Sequence, residues 1–483
     1  MSRDRIALGR PREIAPFVYE ISRDQRPDMR VPARIFADQG LLAEMSRDRS
    51  IEQLMNVATL PGVFRAALGM PDMHEGYGFP VGGVAGTELP DGVISPGGIG
   101  FDINCGVRLL CSGLRYADLA PHVAPIVHEI SRSVPSGFGR GGRFSLTRDD
   151  LNQVLNHGCP FLITEHGLGE PEDAAFIESE GCLPGADAAM VSERAKTRGH
   201  DQLGTLGGGN HFLEVEVVEE IYDEHAAKTL GLAMDQVTVL IHTGSRGLGH
   251  QVCTDYVRVM DRAMAKYAIQ VPDRQLACAP FSSEEGQSYL AAMRAAANFA
   301  WCNRQVIAHR VRQVFGRVLG HRPGHELRLV YDLAHNTAKV ERFGEKEICV
   351  HRKGATRAFG PSSPEIPRAY QGVGQPVFIP GSMGTASFVL VGTDIAEQQS
   401  LSSACHGAGR KMSRGAAKRQ VAGHILRKEL EARGVVVRCP SNAELAEEAP
   451  IAYKDVGRVV EVTHQAGLAR KVARLRPIGV VKG

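Results

Sequence analysis

Apolar positions along the chain follow two rhythms, and the two interleave. Over 79–113, FPVGGVAGTELPDGVISPGGIGFDINCGVRLLCSG, short apolar runs alternate with glycine and proline, which predicts strands joined by tight turns. HFLEVEVVEEIY (211–222) alternates apolar and acidic residues and predicts a half-exposed strand. QVTVLIHTGSRGLG (236–249) predicts a buried strand running into a glycine turn. ELRLVYDLAHNTAKVE (326–341) predicts a strand with a polar end, and GQPVFIPGSMGTASFVLVG (374–392) a strand, a Gly/Ser turn and another strand. Helical period takes over in YVRVMDRAMAKYAI (256–269) and through 285–319. GRKMSRGAAKRQVAGHILRKELEARG (409–434) predicts one basic helix ending at Gly434. The two kinds of element alternate with no repeat, low-complexity tract or evident linker. The expected fold is therefore α/β, one domain over 1–483, with room for a helical lobe near 255–320.

Composition narrows the class. The 483 residues are 43% hydrophobic and 23% charged, as in an ordinary globular protein, and are long enough to bury a large core. A net charge of +2 excludes a nucleic-acid binder that works by bulk charge, but not a local basic groove. The N-terminal MSRDRIALGRPREIAPFVYE lacks the apolar core of a signal peptide, and no run approaches the ~18 apolar residues of a membrane span. Ten scattered cysteines without a paired framework fit a reducing compartment, so the expected location is cytoplasmic.

The candidate chemistry sits in turns. PGGIGFDINCGVR (96–108) places Asp102 and Cys105 three apart where the backbone can bend sharply. A thiolate with a carboxylate suits a borderline divalent cation such as Zn²⁺ or Mn²⁺, although an acid on a turn beside a buried cysteine is an equally good reading of that stretch alone. Five histidines share one context, a strand end beside glycine: His74, His211, His242, His335 and His406. A single such histidine is ordinarily a packed residue. Five together point to convergent ligands, and one Cys, one Asp and three His exceed the needs of one tetrahedral ion. A thiolate bridging two ions would use them all. Other histidines, such as His157 and His321, lack the context and carry the ordinary reading.

Phosphate chemistry is the second theme. GGGN before His211, GSRGLG after His242, PGSMGTAS (380–387) and HGAGR (406–410) are glycine turns whose N–H groups could approach an oxyanion. None matches a Walker or dinucleotide pattern, and each alone is more often a plain turn. Four of them, with Arg246, Arg352, Lys353, Arg357, Arg410 and Arg414 nearby, argue for a polyphosphate or a nucleic-acid backbone as substrate. His406, between Cys405 and GAGR, is a candidate nucleophile toward phosphorus. Cys405 competes with it, and adjacent strand residues point to opposite faces, so one of the two at most faces a pocket.

Taken together, GGIGFDINCGVR, LGGGNHFLE, HTGSRGLGH, AHNTAKVE, HRKGATRA, PGSMGTASFVL, CHGAGRKMSR and the final PIGVVKG resemble the RtcB family of RNA-splicing ligases, from about Met70 to Gly483. The resemblance implies a single mixed α/β domain with a β-rich core flanked by helices. It implies joining of RNA ends bearing a 3′-phosphate or 2′,3′-cyclic phosphate to 5′-hydroxyl ends, as in tRNA splicing or RNA repair, with GTP and two Mn²⁺ ions. Asp102, Cys105, His211, His242 and His335 would hold the metals. His406 would carry GMP, and Asp72 would position or deprotonate the attacking hydroxyl. Asn210, His211, Phe212, Leu213, Glu214, His335, Asn336, Pro380, Gly381, Ser382, Met383, Ser387, His406, Gly407, Ala408, Gly409 and Lys482 would line the GMP pocket, with Glu214 reading the guanine edge and Tyr453 closing over the base. Many members have an accessory protein, archease. The rival readings are a metal-dependent phosphodiesterase or phosphatase without a covalent intermediate, and an RNA-binding protein holding metal for structure. The spread of the ligands over more than two hundred residues speaks against the latter.

Overall fold

The computed structural model describes residues 9–137, 141–142, 144, 146–320 and 322–483; the first eight residues of the N-terminal stretch and His321 lie outside them. Two large sheets organise the molecule. The first runs in the order Arg12–Ala15, Val18–Ile21, Ala33–Phe36, Val63–His74, Val81–Glu88, Lys346–Lys353, Asn336–Phe343. The second runs Arg328–Ala334, Gly106–Arg115, Gln236–Thr243, Phe212–Ile221, Ala469–Lys482, Ser387–Gly392, Pro376–Ile379, and Val436–Arg438 lies parallel to the 469–482 strand.

Both faces of the second sheet are buried. Leu213, Val215, Val217, Val239 and Ile241 pack with Val127, Val154, Met260, Phe299 and Trp301 of the flanking helices. Phe212, Val218, Leu109, Val330, Phe378 and Val389 form a separate core on the opposite face. The strand 212–221 therefore corrects the expected half-exposed strand. Glu214 and Glu216 share the face of Phe212 and are 2% and 0% exposed, and only the far end of the strand reaches solvent.

The helices Arg246–Lys266 and Glu284–Leu319 share the core of this sheet. Ser283 starts the long one, its side chain accepting from the Gly286 N–H, and every residue of its middle turns, 295–308, is buried, which a run of alanines allows.

Three further expectations are corrected. The stretch 326–341 is two strands, Arg328–Ala334 in the second sheet and Asn336–Phe343 in the first, with the chain crossing between sheets at His335. GSRGLG is no open glycine turn: the helix begins at Arg246. The basic helix over 409–434 is two helices, Arg414–Gln420 and Gly423–Ala432, parted by the extended residues Val421 and Ala422.

Candidate active site

Antiparallel order brings alternate strand starts and ends to one edge of the second sheet. Ala334 lies opposite Gly106, Gly106 opposite Thr243, His242 opposite Phe212, and Phe212 opposite Lys482. Residues far apart in the chain meet along that row: Asp102 and Cys105 before one strand, His211 before the next, His242 near the end of a third, and His335 after a fourth.

Their donor atoms form a chain. Asp102 Oδ2 is 2.7 Å from His211 Nε2, which is 3.5 Å from Cys105 Sγ. The same sulfur is 3.4 Å from His242 Nε2, and that nitrogen is 3.3 Å from His335 Nε2. Two groups of potential ligands result, Asp102–Cys105–His211 and Cys105–His242–His335, and Cys105 belongs to both. A thiol common to two ligand groups is the arrangement that a bridge between two ions would require.

The donor set suits cations. His211 Nδ1–H donates to the Leu206 carbonyl, so a neutral ring turns its Nε2 lone pair toward Asp102. Two lone pairs 2.7 Å apart repel unless a proton or a cation lies between them. Burial favours the cation, since it lowers His211 despite Asp102 beside it, and drives His242 and His335, which also face other histidines, well below the ordinary imidazole value. Burial opposes ionisation of Asp102, yet a positive charge at His211 Nε2, whether a proton there or a cation in its place, outweighs it together with Arg246 and Cys105 and holds the carboxyl at about 2. Burial and Asp102 push the Cys105 thiol well up, a state that a bound cation would reverse.

Two glycines make the packing possible. A Cβ on Gly244 would lie 2.4 Å from the Asp102 carboxylate. Gly409, at φ +73°, would press a Cβ to 2.2 Å from the Asp72 carbonyl oxygen.

His406 follows the strand Ser403–Cys405, its ring 4.8 Å from that of His335. Asp72 Oδ2 accepts from its Nδ1–H at 2.6 Å and from its backbone N–H at 3.1 Å, which leaves Nε2 as the free nitrogen. Asp72 is itself wholly buried and is not on the pocket wall, and Oδ2 of its carboxylate is held by His406. Asp72 thus stands against His406 and off the wall from which an attacking hydroxyl would approach. Cys405 points away from His406 and bonds to Thr463 in the interior. His74 lines the pocket with Nδ1–H donated to the Asp72 carbonyl and takes no part in either ligand group.

A cavity of about 260 Å³ joins these features. It brings together Asp102, Cys105, His242, His335 and His406 with Asn210, Phe212, Asn336, Pro380 to Met383, Gly407 to Gly409, Tyr453 and Lys482. His211, Leu213, Glu214 and Ser387 are not on its wall. Glu214 and Glu216 lie behind it: burial raises both, Glu216 raises Glu214 further, and Ser387 and Glu214 partly offset the rise at Glu216, which stands at about 7. Lys482 donates to the His211 carbonyl at 2.8 Å.

Of the six cations expected near phosphate, two are committed elsewhere. Arg352 pairs with buried Glu341, and Arg357 with Glu178 and Glu365. Arg410 and Arg414 reach the pocket rim and clasp Glu448, and the Tyr453 hydroxyl also donates to Glu448.

Sequence reasoning missed the support beneath the cluster. Arg304 of the long helix donates to the carbonyls of Asn104 and Thr243 at 2.9 and 2.8 Å and pairs with Asp332, which also holds Arg108 at 2.6 Å. All three charges are fully buried. The available signal was a lone arginine inside AAANFAWCNRQVIA, an otherwise apolar helix.

Comparison with known proteins agrees with this geometry. A family model described as "tRNA-splicing ligase RtcB" matches residues 53–483. The tRNA-splicing ligase RtcB of Archaeoglobus fulgidus is 52% identical over 477 residues, 98% of each chain. That of Thermococcus kodakarensis is 52% identical over 460 residues, 94% of this chain and 95% of its own. The RNA-splicing ligase RtcB of Mycobacterium tuberculosis is 52% identical over 438 residues, 89% of this chain and all of its own. A row of strand ends that gathers a Cys/Asp/His cluster beside a buttressed histidine thus occurs in a chain that belongs to the RtcB family of tRNA-splicing ligases.

Proposed function

We propose that this chain, an RNA ligase by family, acts as one catalytic unit that joins RNA 3′-phosphate ends to 5′-hydroxyl ends with GTP, through GMP carried on His406. The observation that carries the reading is the pairing of His406 with Asp72 beside the two ligand groups. An imidazole with Nδ1–H tied to a buried carboxylate presents Nε2 as a nucleophile, and the carboxylate offsets the positive charge that develops on the ring.

His406 Nε2 attacks the α-phosphorus of GTP; an N–P bond forms, the bond to the β-phosphate oxygen breaks, and pyrophosphate leaves. An oxygen of the RNA 3′-phosphate then takes the GMP, breaking the N–P bond and returning the lone pair to His406. The 5′-hydroxyl attacks that activated phosphate and GMP departs, its proton passing to solvent. A 2′,3′-cyclic phosphate has first to be opened by water. Asp102, Cys105, His211, His242 and His335 would hold two Mn²⁺ ions, which would neutralise phosphate charge and align the reacting oxygens. Asn210, Phe212, Ser382, Tyr453 and Lys482 would hold the nucleotide. Glu214, behind the pocket wall, would accept the N–H groups of the guanine edge, which adenine does not offer. An archease-type protein would act on the guanylation step, and the cytoplasm suits the reduced thiols.

The test uses α-labelled GTP with Mn²⁺. Acid-labile, alkali-stable label is expected on the denatured chain, absent from His406→Ala and reduced about a hundredfold or more in rate in Asp72→Asn. No label on the wild type with any divalent metal would turn the reading to a phosphoesterase.

A further inference from the structure

Three aromatic rings stand in a row beside the cluster, and nothing in the reaction above uses them. Phe101, the residue before Asp102, lines the cavity. Its ring centroid is 5.2 Å from that of Tyr77, tilted by 60°. It is also 4.9 Å from that of His250, stacked at 27°. Phe101 and Tyr77 are half-buried and His250 is exposed, so the ledge runs from the pocket wall out to solvent. Its inner end is fixed, because buried Lys353 donates to the Tyr77 carbonyl and its ammonium stands 6.0 Å from the Tyr77 ring. Its outer end sits on the first turns of the helix Arg246–Lys266, where Arg198 acts on His250 through its charge and bonds Gln251 at 2.9 Å.

Apolar rings cost free energy when they face water, and a row of them at a pocket mouth flanked by cations is the arrangement that receives unpaired bases. An enzyme that joins ends of many sequences needs a grip that reads no base edge, and stacking supplies one because every base has a π-face. The backbone connection places the ledge one residue from Asp102, and a base lies within roughly a nucleotide's length, about 6 Å, of its own phosphate.

We propose that Tyr77, Phe101 and His250 form a stacking platform for the terminal nucleobase of the RNA end that carries the 3′-phosphate. Exposed Arg198 supplies positive charge at its outer end. The inference rests on the reaction proposed above only in placing the 3′-phosphate at the Asp102 cluster.

Binding tests it without turnover. A fluorescent RNA hexamer with a 3′-phosphate is titrated with the full chain and Mn²⁺, without GTP, alongside the same hexamer with an abasic terminal nucleotide. The wild type should bind the abasic end about tenfold more weakly. His250→Ala, at an exposed position, and Phe101→Leu, checked for folding by thermal unfolding, should weaken binding of the ordinary end about 5- to 30-fold and lose the distinction between the two ends. His250→Trp should restore it. A third hexamer, with a 5′-hydroxyl and no phosphate, shows which end is held. Wild-type affinity in both weakened variants, an equal loss on ordinary and abasic ends, or base dependence confined to the 5′-hydroxyl strand would each overturn the platform as stated. Failure of the wild type to take up GMP would count against the reaction and leave this measurement standing.

Discussion

At the scale of single residues, Cys105 is the pivot. Its sulfur is the only donor atom shared by the two ligand groups found among the described residues, while His335 serves one of them. Cys105→Ala should therefore abolish tight binding of both ions, and His335→Ala should leave about one ion per chain, as counted by metal analysis after gel filtration. The thiol is held protonated by burial and by Asp102, so a cation must displace its proton. Affinity should consequently rise with pH, by about one log unit per pH unit for one released proton, and calorimetry in buffers of different ionisation heat would read that proton directly. These residues were legible in the sequence because turn chemistry leaves a local mark: Asp102 and Cys105 fall in a glycine-rich run, and each histidine follows or precedes a glycine or a polar turn. Asp72 was legible as a candidate, but its partner was not. Nothing in PDMH tells that its carboxylate is committed to a histidine more than three hundred positions away.

Among elements, the strand Phe212–Ile221 is where pattern and structure part. Alternation of apolar and acidic residues was a sound signal for a strand and a poor one for exposure, because the second face is covered by Phe378, Val389 and their neighbours. Two carboxyls two residues apart then share one buried face. Burial raises both, and a carboxyl raised on folding contributes stability that is full below its unfolded value and is lost as pH climbs through its folded one. Glu216→Gln removes a charge that must otherwise be buried at alkaline pH. The variant should be more stable than the wild type by about 1–3 kcal/mol at about pH 8 and indistinguishable near about pH 4, as read by denaturant unfolding. The stretch 326–341 failed to divide for a related reason. Its apolar pattern continues across His335, and only the tertiary arrangement sends one half to each sheet.

For the whole molecule, the α/β class followed from interleaved periods, whereas the pairing of strands did not. Register across the row depends on partners hundreds of residues apart, which local periodicity does not encode. The cluster bears on global stability, since its ligands come from four strand ends of one sheet and, through His335, from the junction with the other. Adding Mn²⁺ to a chelator-treated sample at about a hundred times its dissociation constant should stabilise the fold by ~2.7 kcal/mol and raise Tm by ~2–3 °C. Calorimetry checks this, and Cys105→Ala should show no such rise.

The row of strand ends has a consequence for synthesis. The strand Ala469–Lys482 lies between Phe212–Ile221 and Ser387–Gly392, so a central place in the sheet is filled by the part of the chain translated after all its neighbours. A nascent chain would expose every ligand of the cluster to the ribosome's surroundings while the sheet still had a gap beside His211. Such long-range closure is slow and leaves unpaired edges open to other chains. The row can close only after this strand has been made, and an earlier copy would hold loose histidines and a thiol rather than a closed cluster.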